Sequence, residues 1–401
     1  MPLPLDGVRV IDLTNVIAGP LASYQLVMLG AEVIKIEVPG IGDLGRKFGA
    51  DPALGKKRMG ASFFASNSGK KSITLNLKHE RGKEVFRRLV KDADVVVENF
   101  RPGTMTKLGL DYAALKGVNP SLVYCAVSGF GQSGPLSQRP TYDQIIQGFC
   151  GLMSLTGDAT TAPIRAGFTV CDAMAAITAA FAICAALFRK QKSGTGEMID
   201  VSMLDASLAS MGAWIISNHL NAGDIPIPRG NENPSSSPSG TYRTGDGLIN
   251  IVNNEDKHFE RLCEVIGRPE LKTDPRFAER TTRIANRDQM RAILEQALQA
   301  KSATQWEALF DAAGVPAGRI FTVPEIMQHP QIESRQFLKH FKDVPGVGRD
   351  IAVPRLGFQL ASGQLDVETP PPQLGQDTAT VLGEIGYSTQ DIDEMRSQGI
   401  I

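Results

Sequence analysis

The chain has few residues of the types that build metal sites and disulfide frameworks. Its 401 residues include five cysteines, an odd number, and no two of them form a CxxC pair. The five histidines are equally scattered, with no HxxxH pair. The sequence therefore gives no sign of a metal site, and cysteines in apolar runs are typical of core residues in a reducing compartment. The cysteines are Cys125, Cys150, Cys171, Cys184 and Cys263.

Neither charge nor hydropathy points to a nucleic-acid or membrane partner. The formal net charge of −1 gives no electrostatic attraction for nucleic acid. The longest apolar segment, Ala173–Phe188, is shorter than the ~20 residues that span a bilayer. The N-terminal segment lacks the charged and apolar regions of a signal peptide. With 42% hydrophobic and 21% charged residues, we expect a globular cytoplasmic protein that binds neither nucleic acid nor membrane.

Familiar catalytic and nucleotide-binding motifs are absent or incomplete. Residues 129–134 spell GxGxxG after an apolar strand, but Pro135 and Pro140 follow where a dinucleotide fingerprint needs a helix. No GxSxG sequence is present, and the scattered histidines do not suggest a hydrolase triad. We therefore expect neither NAD binding nor serine-hydrolase chemistry, and no permanently bound cofactor.

Short apolar strands alternate with helical patterns in the first half of the chain. Strand candidates occur at residues 8–13, 32–37, 94–97 and 122–127. This alternation predicts an α/β fold in which helices cover both faces of a parallel sheet. A proline- and serine-rich stretch at residues 225–240 indicates a loop or linker, and a smaller domain, α/β or mainly helical, is expected after it.

Asp172 stands directly before the longest apolar segment. Ala173–Phe188 is apolar on nearly every face, so we expect a helix buried in the core. A helix begins with unpaired N–H groups and a positive partial charge. A carboxylate there is expected to stay ionised and could act as a nucleophile. An ordinary acid that caps the helix is the alternative interpretation.

Several short segments, taken in order, resemble the class III CoA-transferase family (CaiB/BaiF, formyl-CoA-transferase-like). Their order and spacing match the family from about residue 5 to 210, and a weaker likeness continues to the C-terminus. No single segment is decisive, but the ordered set is specific. The segments are residues 12–14 (DLT), 18–20 (AGP), 29–37 (LGAEVIKIE), 40–43 (GIGD), 75–78 (LNLK), 97–103 (VENFRPG), 128–135 (SGFGQSGP) and 196–207 (GEMIDVSMLDAS).

The resemblance implies an enzyme that moves CoA from an acyl-CoA donor to a free carboxylic acid, with a small dicarboxylate as the expected acceptor. Asp172 aligns with the nucleophile of such enzymes. The implied route passes through mixed anhydrides and an aspartyl-CoA thioester, so that one hard exchange becomes several easier covalent steps. CoA and acyl-CoA are substrates in this scheme.

The resemblance also implies where the substrates bind. Two positions depart from some relatives, because Ile17 and Val38 stand where those relatives have Gln and Arg. Arg46 or Arg139 is the candidate for the missing cation. The residues implied for the acid substrate are Arg165, Gly131 and Gln132. The residues implied for CoA are Ala18, Leu75, Asn76, Leu77, Lys78, Asn99, Phe100, Arg101, Lys107, Arg139, Tyr142 and Asp143.

The family architecture implies a Rossmann-like large domain with a parallel sheet, formed by residues 1–224 and 331–401. A smaller α/β domain with its linkers is expected at residues 225–330, and two chains are expected to form an interlocked homodimer. Two alternatives stay open: an α-methylacyl-CoA racemase, and a CoA-binding protein without turnover. Racemases of this fold carry a His-Asp pair where this chain has Tyr142 and Asp143, and tyrosine is a poor base near neutral pH.

Overall fold

The centre of the fold is a six-stranded parallel sheet. The structure is a computed structural model that describes residues 2–363 and 365–401. The strand order is β3-β2-β1-β4-β5-β6, and each adjacent pair is parallel. This is the order of the doubly wound nucleotide-binding fold. The strands of this sheet are β1 (Arg9–Asp12), β2 (Glu32–Glu37), β3 (Lys71–Thr74), β4 (Val95–Glu98), β5 (Val123–Ser128) and β6 (Glu197–Ser202).

Five further strands among the described residues form two small antiparallel sheets. β7, β8 and β9 form one, in that order, and β10 pairs with β11 in the other. These strands are β7 (Gly240–Arg243), β8 (Leu248–Ile251), β9 (Ala317–Arg319), β10 (Leu338–Phe341) and β11 (Ile351–Pro354).

Nineteen α-helices lie within the described residues, with short 3₁₀ turns at Leu44–Lys47 and Pro269–Lys272 and a π-helical turn at Gly212–Ile216. The helices are α1 (Ala18–Met28), α2 (Pro52–Lys56), α3 (Ala61–Asn67), α4 (Glu80–Lys91), α5 (Thr104–Leu108), α6 (Tyr112–Lys116), α7 (Asp143–Phe149), α8 (Leu152–Leu155), α9 (Val170–Ser193), α10 (Met203–Ser210), α11 (Ser217–Ala222), α12 (Asp256–Val265), α13 (Arg280–Ala285), α14 (Arg287–Leu298), α15 (Ala303–Ala312), α16 (Val323–Met327), α17 (Pro330–Ser334), α18 (Thr378–Glu384) and α19 (Thr389–Ser397).

The chain divides into two compact units. The first contains the described residues of 1–150, 166–224 and 331–401, and the second contains Gly151–Arg165 and Ile225–Pro330. The sequence analysis assigned Gly151–Arg165 to the large domain, whereas the structure places this segment in the second unit. Within the second unit, Gly230 N–H donates to the carbonyl of Gly157 at 2.7 Å, which ties the two parts of that unit together.

Helices cover the large sheet as the alternating pattern predicts. Side chains of β1, β2, β3 and β5 share one apolar core with α4, α18 and α19. α1 and α9 pack against each other, and they contact β1 and β5 respectively. In the second unit, β8 packs with α12, α14 and α15 around a separate core that includes Phe259 and Trp306.

Helix α9 is less buried than its composition suggests. It has 24 residues and so extends beyond the apolar segment Ala173–Phe188 at both ends. By length and composition alone the whole helix could cross a membrane, although the apolar segment is shorter than a membrane span. Its small side chains, such as Ala176 and Ala179, are buried, whereas Phe181 is 74% exposed and Ile177 is 60% exposed. The prediction of a helix buried on every side is therefore wrong for the single chain.

Candidate active site

The candidate site lies where the strand order of the large sheet reverses. β1 and β4 are neighbours in the sheet, and their connections lead to opposite sides of it. Ligands of doubly wound sheets bind outside the carboxyl ends of the strands at such a switch point. Residues 15–17 of the loop after β1, and the residues after β4, Asn99 to Arg101, line a cavity of about 280 Å³ at this place.

Asp172 lies in the lining of this cavity. It belongs to the first turn of α9, whose long, apolar body packs on the sheet beneath. Of the residues that the sequence assigned to CoA, five line the same cavity. They are Ala18, Asn99, Phe100, Arg101 and Tyr142.

A second, larger cavity of about 540 Å³ adjoins the first, because Asn15 and Phe100 line both. Its walls are mostly apolar, and Lys78 is the cation among the residues that line it. Leu75, Asn76, Leu77 and Lys78, all assigned to CoA from the sequence, lie here in the segment after β3. The two cavities together provide an apolar slot beside a carboxylate, which is the kind of site that small cofactors occupy.

The carboxyl group of Asp172 does not have the electrostatic environment that the sequence predicts. Burial, with a further contribution from the negative charge of Asp143, raises the pKa of Asp172 to about 7. The expectation that the helix start keeps this group fully ionised is therefore wrong. A carboxyl group with a pKa near neutrality is typical of functional sites, where desolvation tunes a group for its reaction.

Asp143 explains why the helix start does not favour the Asp172 carboxylate. One Asp143 oxygen accepts the N–H of Cys171 at 2.8 Å and that of Asp172 at 3.3 Å. The other oxygen accepts a side-chain N–H of Gln147 at 2.6 Å. Asp143 therefore caps α9 from the first turn of α7, and the free N–H groups that the sequence offered to Asp172 are already occupied. Asp143 is buried and lies outside the lining of both cavities.

The other assigned residues lie outside these two linings. Lys107 is exposed on α5, although Thr104 and Leu108 of that helix line the larger cavity. The guanidinium of Arg139 lies 4.7 Å from the ring centre of Phe149.

The residues assigned to the acid substrate are also found elsewhere. The N–H of Gln132 donates to both oxygens of Asp200, at 3.1 and 2.9 Å, and Gly131, which precedes it, is buried. Arg165 is exposed and belongs to the second unit.

Arg46 is not the cation that compensates for Val38. Its guanidinium is completely buried and donates to both carboxylate oxygens of Glu37, each at 2.7 Å. It also donates to the Pro372 carbonyl at 3.0 Å and lies 3.9 Å from the ring centre of Phe63. A guanidinium with its donors occupied in this way cannot meet a phosphate. Val38 itself is 52% exposed and lines the larger cavity.

The loop between β1 and α1 contains site residues that the sequence analysis missed. Asn15, Val16 and Ile17 line the cavity of Asp172. Ile17 was noted only as a departure from some relatives, and Asn15 and Val16 were not assigned to the site. Gly19 is the residue of the sequence that could have indicated this loop. A Cβ atom on Gly19 would lie 2.3 Å from a side-chain carbon of Thr14, so the first turn of α1 can approach this loop only if residue 19 has no side chain.

Fold and site together define a doubly wound α/β protein with a cavity at a topological switch point, lined by a carboxyl group of raised pKa. The chain belongs to CoA-transferase family III, which it matches over residues 5–378. It is similar in structure to a CaiB/BaiF family protein from Brucella suis, with a TM-score of 0.84 and 35% identity over 96% of this chain and 100% of that one.

Named relatives are similar over most of their length. An acetyl-CoA:oxalate CoA-transferase from Acetobacter aceti is 42% identical over 84% of this chain and 85% of its own. A succinyl-CoA–D-citramalate CoA-transferase from Chloroflexus aurantiacus is 35% identical over 100% of this chain and 98% of its own. A human succinyl-CoA:glutarate CoA-transferase is 33% identical over 99% of this chain and 90% of its own.

Proposed function

We propose that this enzyme transfers CoA from an acyl-CoA thioester to a free carboxylic acid, and that Asp172 is its nucleophile. The observation that carries the proposal is the position of Asp172 in the lining of a cavity that adjoins the larger, mostly apolar cavity at Asn15 and Phe100. In this arrangement the nucleotide end of CoA occupies the larger cavity, near Lys78. The thioester end reaches Asp172.

The proposed reaction conserves the energy of the thioester. A carboxylate oxygen of Asp172 attacks the acyl carbon, the C–S bond breaks, and a mixed anhydride and the CoA thiolate result. The thiolate then attacks the Asp172 carbonyl carbon, which forms an aspartyl-CoA thioester and releases the donor acid. The acceptor carboxylate repeats both steps in reverse order, so that CoA leaves on the acceptor and Asp172 regains its negative charge.

A small dicarboxylate is the acceptor class that we infer. Support comes from the relatives, whose names specify oxalate, citramalate and glutarate. Arg101, which is exposed and lines the cavity of Asp172, provides a positive charge near the reacting group. Arg165, Gly131 and Gln132 remain proposed contacts of the acid. The three relatives named for their reaction are CoA-transferases, which favours transfer over the racemase.

We further propose that two chains form a homodimer, interlocked as in the family, through a surface that includes the exposed side of α9. Phe181 and Phe188 are 74% and 61% exposed on this helix, and Ile177 adds to the same apolar surface. Contiguous exposed apolar surface of this kind marks interfaces in proteins that fold in water.

A transfer assay tests the proposed function. The enzyme is incubated with succinyl-CoA and a panel of acids (oxalate, glutarate, citramalate and acetate), and new acyl-CoA products are separated chromatographically. Asp172→Ala should reduce turnover by about 10⁴-fold or more and leave the affinity for CoA within about threefold. The matched control is Asp205→Ala, because Asp205 is an exposed acid at the start of α10. Full activity of Asp172→Ala would remove the assignment.

A further inference from the structure

The loop of residues 14–17, here called the β1–α1 loop, has a strained backbone at the edge of the site. Val16 has a φ of 72°, in the left-handed region that β-branched residues avoid. Val16 and its neighbours Asn15 and Ile17 line the cavity of Asp172. A conformation of this kind persists only where the surrounding structure holds it in place.

A buried ion pair holds the loop from one side. A carboxylate oxygen of Asp43 accepts the Val16 N–H at 2.9 Å, and the other oxygen lies 2.9 Å from the Lys35 ammonium. Lys35 also donates to the Thr14 carbonyl at 2.7 Å. Both charged side chains are completely buried, so solvent does not compete for these contacts.

Asn99 holds the loop from the other side. Its side-chain oxygen accepts the Asn15 N–H at 2.8 Å, and its side-chain N–H donates to the Asn15 carbonyl at 2.8 Å. The backbone polar groups of three consecutive residues, Thr14, Asn15 and Val16, are therefore fixed by side chains from β2, the segment after β2, and the segment after β4.

We infer that Lys35 and Asp43 are positioning residues, which keep Val16 in the left-handed conformation so that the β1–α1 loop retains the shape of the CoA site. The inference rests on the proposed CoA transfer. Neither residue lines the cavity of Asp172, so both act on CoA through the backbone of the loop.

The test uses binding of coenzyme A to the full chain, measured by isothermal titration. Lys35→Met combined with Asp43→Ala removes both charges and both contacts to the loop, and it leaves no single buried charge behind. We expect the Kd for CoA to rise about tenfold while the number of sites per chain stays unchanged. A general loss of structure would instead reduce the number of sites.

Rescue distinguishes relief of strain from a merely structural effect. Glycine adopts positive φ without steric cost, so adding Val16→Gly to the double variant should restore the Kd to within about threefold of Val16→Gly alone. Glu32→Gln is the matched control, because Glu32 lies on β2, as Lys35 does, but does not touch the loop. Glu32 instead pairs with Arg9 and Lys71 of the neighbouring strands. It should leave the Kd unchanged.

Results that contradict the positioning role can be distinguished from results that contradict the proposed CoA transfer. An unchanged Kd for the double variant, or a triple variant as weak as the double one, would overturn the positioning role. If the double variant does not fold, Val16→Pro at the half-buried loop position carries the test, since proline cannot adopt a φ of 72°. A Val16→Pro protein that binds CoA as tightly as Val16→Gly would overturn the inference. Failure of the unaltered protein to bind CoA would instead refute the proposed function.

Discussion

Replacing Asp172 by asparagine should stabilise the protein, and the gain should grow with pH. Burial, aided by Asp143, raises the pKa of Asp172 from 3.8 to about 7. The unfolded chain releases this proton at the ordinary pKa, so folding favours the protonated form, and above both values it has to bury a charge. The resulting penalty is absent below pH ~4, grows through the interval between the two pKa values, and reaches at most about 4 kcal/mol above it.

Thermal unfolding of the unaltered protein and Asp172→Asn at pH 5 and pH 8 measures this penalty. Asparagine has nearly the same shape and cannot ionise, so its advantage at pH 8 should exceed that at pH 5 by about 2–3 kcal/mol. Asp158→Asn is the control. Hydrogen bonds from Thr160 and Thr161 lower the pKa of the exposed Asp158 to about 2, so Asp158 is ionised at both pH values. The change in stability caused by Asp158→Asn should therefore be the same at pH 5 and pH 8. An Asp172→Asn protein with the same advantage at both pH values would refute the reasoning.

Three further predictions concern catalysis, CoA binding and assembly. Asp143→Asn leaves Asp172 buried but removes the negative charge that adds to the rise of its pKa, so the acid limb of the pH profile of kcat/KM, expected near pH 7, should move to lower pH; an unmoved limb would contradict this. Lys78→Ala should raise the KM for acyl-CoA about tenfold with kcat unchanged, because Lys78 lines the larger cavity. Lys91 is exposed at the end of α4, so the control Lys91→Ala should change neither KM nor kcat. Phe181→Glu should prevent two chains from assembling, so that the expressed variant is monomeric in light scattering, and a variant that is dimeric would exclude this face of α9 as part of the interface.

The sequence predicts four of the six strands of the central sheet, β1, β2, β4 and β5, because they are short, apolar and separated by helical patterns, and it misses β3 and β6. β2 shows where this reasoning stops. Lys35 and Glu37 alternate with isoleucines, a pattern typical of a strand with one exposed face. Both charged residues are nevertheless buried, because Asp43 and Arg46 fold back to pair with them. Pairing of this kind depends on three-dimensional proximity, which hydrophobic patterning does not encode.

The candidate site, like the sheet, has features that the sequence predicts and others that depend on the three-dimensional structure. The position of Asp172 before an apolar helix can be read from the sequence, and the structure places it in a cavity with several of the residues assigned to CoA. The raised pKa of Asp172 could not be predicted, because its causes, burial and the charge of Asp143, depend on the three-dimensional structure, and Asp143 lies 29 residues earlier in the chain. The exposure of α9 was missed for a different reason, since an apolar sequence does not reveal which of its side chains the rest of the chain covers.

The most direct test of the account is to look for an acyl or CoA adduct on Asp172. The protein is incubated with succinyl-CoA, treated with hydroxylamine or borohydride, digested and analysed by mass spectrometry. We expect a single modified peptide that contains Asp172, with the hydroxamate or reduced product on that residue, and no modification in Asp172→Asn. An unmodified Asp172 in a preparation that catalyses CoA transfer would contradict the central claim.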